Sequence, residues 1–441
     1  MLRIIKAGDS ALDGFLRRAG IRLEKVIDQV APIIHQVRKK GDRALVEFTR
    51  NYDGVEIGVG DLQVKEAEIE EAYQLVEPEF LAALKQIMIN IKEFHLKQLP
   101  KSWWDLDEEG NVLGQLYRPL KRVGLYIPGG RAAYPSSVLM TAVPGMVAGV
   151  EELVMVSPPD REGRLNPYTL VAASEAGVQS IFKVGGAQAI AALAYGTESI
   201  RPVDKIVGPG NIYVTAAKKL VYGQVDIDML AGPSEILIVA DSSADPVFLA
   251  ADLLAQAEHD PLAAAVLVTP DQTLAKRVIS EIEKQLKLLP RREIAQQALA
   301  QAGGVILTRD LEEAMEVAND FAPEHLELCL AEPFLWLGKV KNAGAIFLGH
   351  HSPEALGDYY AGPNHVLPTG GTARYFSPLN VEMYLKKSSL ISYTPKGLAR
   401  AAQAVVKIAA VEGLEGHANS IRVRLESQGT GVEDNGQNRQ D

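Results

Sequence analysis

The chain has 441 residues, 47% hydrophobic and 23% charged, an ordinary globular composition with room for about two or three domains. A formal net charge of −11 argues against nucleic acid or an anionic membrane as a partner, because an acidic surface attracts neither. The single cysteine, Cys329, excludes an intramolecular disulfide framework and fits a reducing cytoplasm. The first residues, Met1-Leu2-Arg3-Ile4-Ile5-Lys6, are too short and too charged a stretch for a signal peptide. No uninterrupted apolar run reaches the roughly 18 residues that a membrane-spanning helix needs.

The first part of the chain, to about residue 115, reads as mostly helical. Apolar residues recur at helical spacing from Val26 to Phe48, interrupted at Gly41-Asp42, and again from Glu66 to Leu99. Asn51-Tyr52-Asp53-Gly54 is a turn cluster. Trp103-Trp104 lies in a polar connection and is expected to pack between domains. From Leu120 the rhythm changes to short β-rich runs alternating with helices. The expected strands are Val123 to Ile127, Glu152 to Val156, Ser180 to Val184 and Lys205 to Val207, then Glu235 to Ala240, Ala264 to Thr269, Gly304 to Thr308 and Ala343 to Leu348. This alternation implies parallel sheets with helices on both faces. Two sheets are more plausible than one, with a break near Ala231-Gly232-Pro233-Ser234. Ligands of such sheets sit at the carboxyl ends of the strands. Residues Gly349 to Pro378 lack periodicity, and a run of that kind holding His351, Asp358, Tyr359, Asn364 and His365 favours function. A helix over Leu398 to Val411 follows, and the polar tail after Leu425 is expected to be disordered.

Several stretches could carry chemistry. Gln256 and His259, near the end of an apolar helical run from Val247 to Ala257, are three residues apart and share a helix face. An amide oxygen and an imidazole nitrogen aimed one way make half of an N/O metal site, or simply a polar helix end. Glu258 between them points off that face. Five of the eight histidines, His259, His325, His350, His351 and His365, fall between residues 259 and 365. Ala322-Pro323-Glu324-His325 follows an amphipathic helix, Leu311 to Phe321, and its adjacent Glu and His suit general acid/base work or a solvated helix end. Gly357 to His365 could bring the Asp358 carboxylate to a metal on a loop, or be a solvated turn. Glu412 and His417 flank two glycines and have no partner in view. Three Gly-rich loops follow expected strands: Tyr126-Ile127-Pro128-Gly129-Gly130, Gly185-Gly186-Ala187-Gln188 and Gly208-Pro209-Gly210-Asn211. Each leads into a helix whose first N–H groups could hold a pyrophosphate, although none matches G-x-G-x-x-G and each could be a tight turn alone. Ser234, in Ala231-Gly232-Pro233-Ser234-Glu235, could bind substrate or make a turn.

Taken together and in this order, these motifs closely resemble the histidinol dehydrogenases. The likeness runs over about residues 5 to 420 and rests on seven stretches: 123–130, 184–191, 207–211, 231–235, 256–259, 322–326 and 364–369. It implies an α/β fold of two incomplete Rossmann-like domains with parallel-rich sheets, plus a helical N-terminal and a small C-terminal segment. Residues 1–120 with 235–380 would form the zinc-bearing catalytic domain, 121–234 the NAD-binding domain, and 381–425 a dimerisation segment before the tail at 426–441. It implies two NAD-dependent oxidations of L-histidinol, through the aldehyde to L-histidine, with one Zn2+ per site, in a cytoplasmic homodimer of histidine biosynthesis. Gln256, His259, Asp358 and His417 would be the zinc ligands, and Glu324 and His325 the acid/base pair. Ser234, Glu412 and His325, with the ligand residues, would meet substrate; Tyr126, Gln188 and Asn211 would meet NAD. Glu412 and His417 would come from the partner chain. Cys329, in the apolar run Leu326 to Leu330, reads as packing and not as a nucleophile. Formation of NADH on addition of histidinol separates this reading from a zinc hydrolase with Glu324 as base.

Overall fold

A computed structural model describes residues 2–9, 23–129 and 133–429. Gly130 and the tail beyond 429 therefore lie outside the described residues. The strands in chain order are β1 (Arg3–Lys6), β2 (Trp103–Leu106), β3 (Val112–Pro119), β4 (Arg122–Tyr126), β5 (Glu152–Ser157), β6 (Ser180–Lys183), β7 (Lys205–Val207), β8 (Asp226–Ile227), β9 (Glu235–Ala240), β10 (Ala264–Thr269), β11 (Gly304–Leu307), β12 (His325–Cys329), β13 (Ala345–Leu348) and β14 (Leu385–Ser392). Contacts divide the chain into two units, 1–99 with 119–384, and 100–118 with 385–441.

The first unit holds two parallel sheets. The five-stranded sheet has the order β6-β5-β4-β7-β8, and the six-stranded sheet the order β1-β11-β10-β9-β12-β13. The chain is thus mixed α/β with parallel-rich sheets. β9 and β10 are continuous apolar runs, buried along their whole length, as strands covered on both faces must be. Alternation sorts their side chains. Ile236, Ile238, Ala265 and Leu267 pack with Leu249, Leu253 and Val278 on one face, while Leu237, Val239, Val266 and Val268 pack with Met315 and Phe321 on the other. The chain passes from one sheet to the other between β8 and β9.

β1 and β12 belong to the six-stranded sheet but are absent from the expected strands; each mixes charged with apolar residues. The segment Ala322-Pro323-Glu324-His325 is not a restarted helix. The helix Leu311–Phe321 ends on Ala322, the one non-glycine with positive φ (49°) among the described residues, and His325 opens β12. The helix Glu24–Lys40 also falls elsewhere than the expected grouping of 1–120 with 235–380. Its Val30, Ile34 and Val37 are buried with Ile190, Leu193 and Ala217 of the five-stranded sheet's core. Periodicity shows that a helix has an apolar face, not which sheet will cover it.

The second unit has the antiparallel pair β2 and β3, with β14 beside β3, and the helices Pro395–Val411 and Glu415–Gly429. Trp103 and Trp104, expected in a connection, lie on β2 and are 48% and 57% exposed. The second helix carries Leu425 and runs on to Gly429, so regular structure extends past the expected start of the tail. Among the described residues, no helix is long and apolar enough to cross a membrane.

One buried ion pair fixes a glycine loop of the five-stranded sheet. Lys218 Nζ donates to Asp228 Oδ1 at 2.7 Å and to the carbonyl of Gly208 at 2.6 Å, while Gly208 N–H donates to Asp228 Oδ2 at 2.7 Å. Gly208 has φ +113°, and a Cβ there would fall 2.2 Å from the carbonyl oxygen of Tyr126. Removing one partner of a buried pair strands the other charge. Asp228→Ala should therefore lower stability by about 3–5 kcal/mol in urea unfolding; a loss under about 1 kcal/mol would show that the pair does not hold the loop.

Candidate active site

The parallel register sets His325 opposite Ile236 of β9 and Ala345 of β13. Glu324 and His325 therefore lie at the amino ends of the six-stranded sheet, not at the carboxyl ends where ligands of open sheets are expected. Peptide groups of Glu235, at the start of β9, clamp both side chains. Its N–H donates to Glu324 Oε2 at 2.8 Å, and its carbonyl lies 3.1 Å from His325 Nδ1. In the neutral ring, Nδ1–H donates to that carbonyl and Nε2 carries the lone pair. Nε2 is buried, lies 3.5 Å from Asp358 Oδ1, and has no well-formed hydrogen-bond partner among the described residues.

The apolar helix Pro246–Ala257 follows β9 and brings its last turn back to these amino ends. There Gln256 is fully buried, and His259, just beyond, is exposed. The third contribution is the segment 354–361. Glu354 Oε1 lies 3.8 Å from His325 Nδ1, and His325, Glu354 and Asp358 offer ligand atoms all within 4.8 Å of one another. His365 completes the group: its Nδ1 lies 3.0 Å from the carbonyl of Asp358, and its Nε2 3.5 Å from Ser137 Oγ at the start of the helix that follows β4. That contact links the carboxyl end of the five-stranded sheet to the amino end of the six-stranded one.

Burial shifts these groups. It pushes the Glu324 carboxyl up to about 8, against the neighbouring His325, and Glu354 up to about 7. Burial pulls His325 down, but the carboxylates of Glu354, Glu324 and Asp358 outweigh it and hold the ring well above its ordinary value. Burial raises Asp358 less than His325, with His365 and His259, lowers it, so Asp358 stays charged. Desolvation lowers His259, despite its exposed edge, and His365, against the attraction of Asp358, which favours the neutral ring in each.

A model of the histidinol dehydrogenase family matches residues 16–425. Histidinol dehydrogenase from Heliobacterium mobile is 55% identical over 426 residues, covering 97% of this chain and 100% of the relative. That from Moorella thermoacetica is 57% identical over 403 residues, covering 91% and 95%. The crystal structure of histidinol dehydrogenase from Elizabethkingia anophelis superposes with a TM-score of 0.93 at 37% identity, covering 97% of this chain and 99% of that one. The chain belongs to the histidinol dehydrogenase family. It is therefore grouped with oxidoreductases.

Of the residues that the resemblance to histidinol dehydrogenases singled out, Glu324, His325, Gln256, His259, Asp358 and Ser234 gather at one end of β9 and β12. Ser234 is half-buried, one residue before Glu235. Tyr126 ends β4 of the five-stranded sheet, and Gln188 and Asn211 lie at the starts of helices that follow its strands β6 and β7. The buried Tyr126 hydroxyl accepts from Gly186 N–H at 3.1 Å, Gln188 is buried in the helix Gly186–Tyr195, and Asn211 caps the helix Ile212–Val221. Glu412 and His417 are exposed residues of the second unit. Of the loop residues, Asn364 serves structure, donating to the carbonyl of Met140 at 2.7 Å, and the His351 ring lies 6.2 Å from that of Phe248, tilted by 57°. Glu354, Glu235 and Glu327 were not among the expected site residues. Glu354 stands four residues before Asp358, a helical spacing readable in sequence had the segment been taken as helical.

Two predictions follow from burial. Cys329 is buried on β12 and its thiol is pushed up, so it is not a thiolate. Cys329→Ser should keep aldehyde oxidation within a few-fold of the parent; selective loss of that step would make the thiol a nucleophile. Burial raises Asp53, whose charge reaches Tyr126, from 3.8 to about 6. A carboxyl held protonated by folding contributes stability below its ordinary pKa, and that stability is lost as pH rises through about 6. Asp53→Asn should thus gain roughly 1 kcal/mol on the parent at about pH 8 relative to about pH 4, discounted for partial exposure. Melting temperatures at the two pH values test this, and an equal offset at both would refute it.

Proposed function

We propose that this chain oxidises L-histidinol to L-histidine in two successive NAD-dependent steps at a zinc site, the last steps of histidine biosynthesis. The observation that carries the reading is the buried His325 Nε2, fixed as a base by the Glu235 carbonyl and facing Asp358 beside Glu324. Family membership supports the substrate. The donor set fits a borderline N/O-binding dication: the Gln256 amide, the His259 ring, whose lowered pKa favours the neutral form, and the charged Asp358, with His417 as a fourth ligand from a partner chain. When bound, zinc would polarise the substrate oxygen and, as a dication beside Asp358, lower the proton affinity of His325.

In the first step His325 Nε2 would take the hydroxyl proton, and NAD+ held at the glycine loops would supply the acceptor for the carbinol hydride. Glu324, pushed up to about 8, can hold or take a proton near neutral pH. It removes a proton from the water that adds to the aldehyde. A second NAD+ would supply the acceptor for the hydride lost by the resulting hydrate, leaving the carboxylic acid. Burial shields the reactive aldehyde between steps. Tyr126, Gln188 and Asn211 would meet the dinucleotide at the glycine loops, Ser234 and Glu412 the substrate, Glu412 its amine. The chain would act as a homodimer in the cytoplasm, with residues 381–425 carrying the partner's contribution, 121–234 the NAD loops and 235–380 the zinc ligands.

Purified protein given L-histidinol and NAD+ should form two NADH per substrate, lose activity to a chelator and regain it with zinc. One NADH per substrate, or activity indifferent to chelation, would refute this reading. Glu324→Gln should slow aldehyde oxidation by about 10²–10⁴ and alcohol oxidation much less; equal losses in single-turnover assays would undo the division of roles.

A further inference from the structure

A side-chain amide has two ends of similar shape and opposite character: the oxygen can ligate a cation, the NH2 cannot. Which end of Gln256 faces outward is decided by what grips the other. One orientation satisfies its neighbours, with Nε2 donating to Glu354 Oε1 at 2.8 Å and Oε2 at 2.9 Å. That leaves the carbonyl oxygen on the side of the amide away from Glu354. Glu354 is itself held: it is 4% exposed, and its backbone N–H donates to Glu327 Oε1 at 2.9 Å. Glu327 shares a face of β12 with His325, two residues earlier. Glu354 also opens the segment that carries Asp358. One buried carboxylate therefore ties the helix bearing Gln256 to the segment bearing Asp358, with β12 as the anchor.

We propose that Glu354 is a positioning residue that turns the Gln256 amide so that its carbonyl oxygen is presented to the cation, and that it thereby sets the affinity of the site for zinc. The inference rests on the zinc reading above. The rival is Glu354 as a direct ligand, since its oxygens also lie close to His325 and Asp358. Both of its oxygens are engaged by Gln256, which favours positioning.

The test compares the full-length parent, Glu354→Gln, and the double swap Gln256→Glu with Glu354→Gln. Zinc affinity is measured by chelator competition, the visible spectrum after cobalt loading, and the melting temperature of the zinc-free protein. Glu354→Gln should weaken zinc binding by about 10–100-fold, because the new side chain accepts less well and lets the amide turn. The cobalt band at saturation should keep its position. The double swap should return affinity to within a few-fold of the parent, because a carboxylate at position 256 has two equivalent ends and needs no orienting. Being isosteric, the swap also reads out if the single variant folds poorly. Unchanged zinc affinity in Glu354→Gln overturns the proposal, as does a lower melting temperature alone. A shifted cobalt band with no recovery in the double swap overturns it in favour of a direct ligand. A parent protein that binds no zinc refutes the function proposed above, a result distinct from all of these.

Discussion

The site depends on holding charge where water is scarce. Glu324, His325 and Glu354 are almost fully buried, and Asp358 nearly so. Isolated, each would lose its charge, since burying an unpaired ion costs several kcal/mol. They keep a usable set of protonation states because they are buried together. His325 draws on three carboxylates, which raise its affinity for a proton; Asp358 draws on three imidazoles and stays ionised. Glu324 and Glu354, with weaker support, drift toward neutrality. The spread of behaviour among three neighbouring carboxyls is what lets one act as proton carrier while another stays an anion.

Much of the fold was legible because continuous apolar strands and amphipathic helices carry their own periodicity. The eight expected strands all occur, and the helix Leu311–Phe321 occurs as read. β12 was not legible. Its residues include His325 and Glu327, so its polarity masks a buried strand, and the left-handed turn at Ala322 just before it has no sequence signature in a non-glycine residue. The site followed the same division. Gln256, His259, Glu324, His325 and Asp358 stood out by residue type and motif, whereas Glu235 contributes through its peptide group, which any residue supplies. Glu327 and Glu354 carry no motif that marks them as buried. Only the register of β12 and the return of segment 354–361 bury them.

Burying further acids behind the site requires that some stay neutral. Asp252, pushed up to about 6 by burial, hydrogen-bonds Glu327, which burial and Asp252 raise well above the carboxylate range. Two carboxyls in contact hold a proton between them more easily than two charges. The pair therefore bonds β12 to the helix Pro246–Ala257 while carrying less charge than its composition suggests. It also accounts for Cys329, whose thiol lies 3.9 Å from Glu327 Oε2 and is pushed away from ionisation by burial and by that carboxyl. A nucleophilic cysteine needs a positive neighbourhood, and this one is acidic.

The position of the site at amino ends then has an electrostatic reading. The helices after β6 and β7, Gly186–Tyr195 and Ile212–Val221, begin at the carboxyl ends of the five-stranded sheet, so their positive N-terminal ends lie there. Such ends favour an anion such as a pyrophosphate. The helix Pro246–Ala257 does the opposite. It delivers Gln256 and His259 from its C-terminal end, where unsatisfied carbonyls carry negative charge. A cation is favoured there, beside the ionised Asp358. The Ser137–His365 contact and the Gly232 N–H bond to Thr369 Oγ1 at 2.5 Å join the carboxyl ends of one sheet to the amino ends of the other. Had both sheets offered carboxyl ends, two sets of helix N-termini would have met, and the crevice would have repelled a dication from both sides. Setting the second sheet the other way round instead brings anion-favouring helix N-termini and a cation-favouring helix C-terminus to the two sets of strand ends that meet.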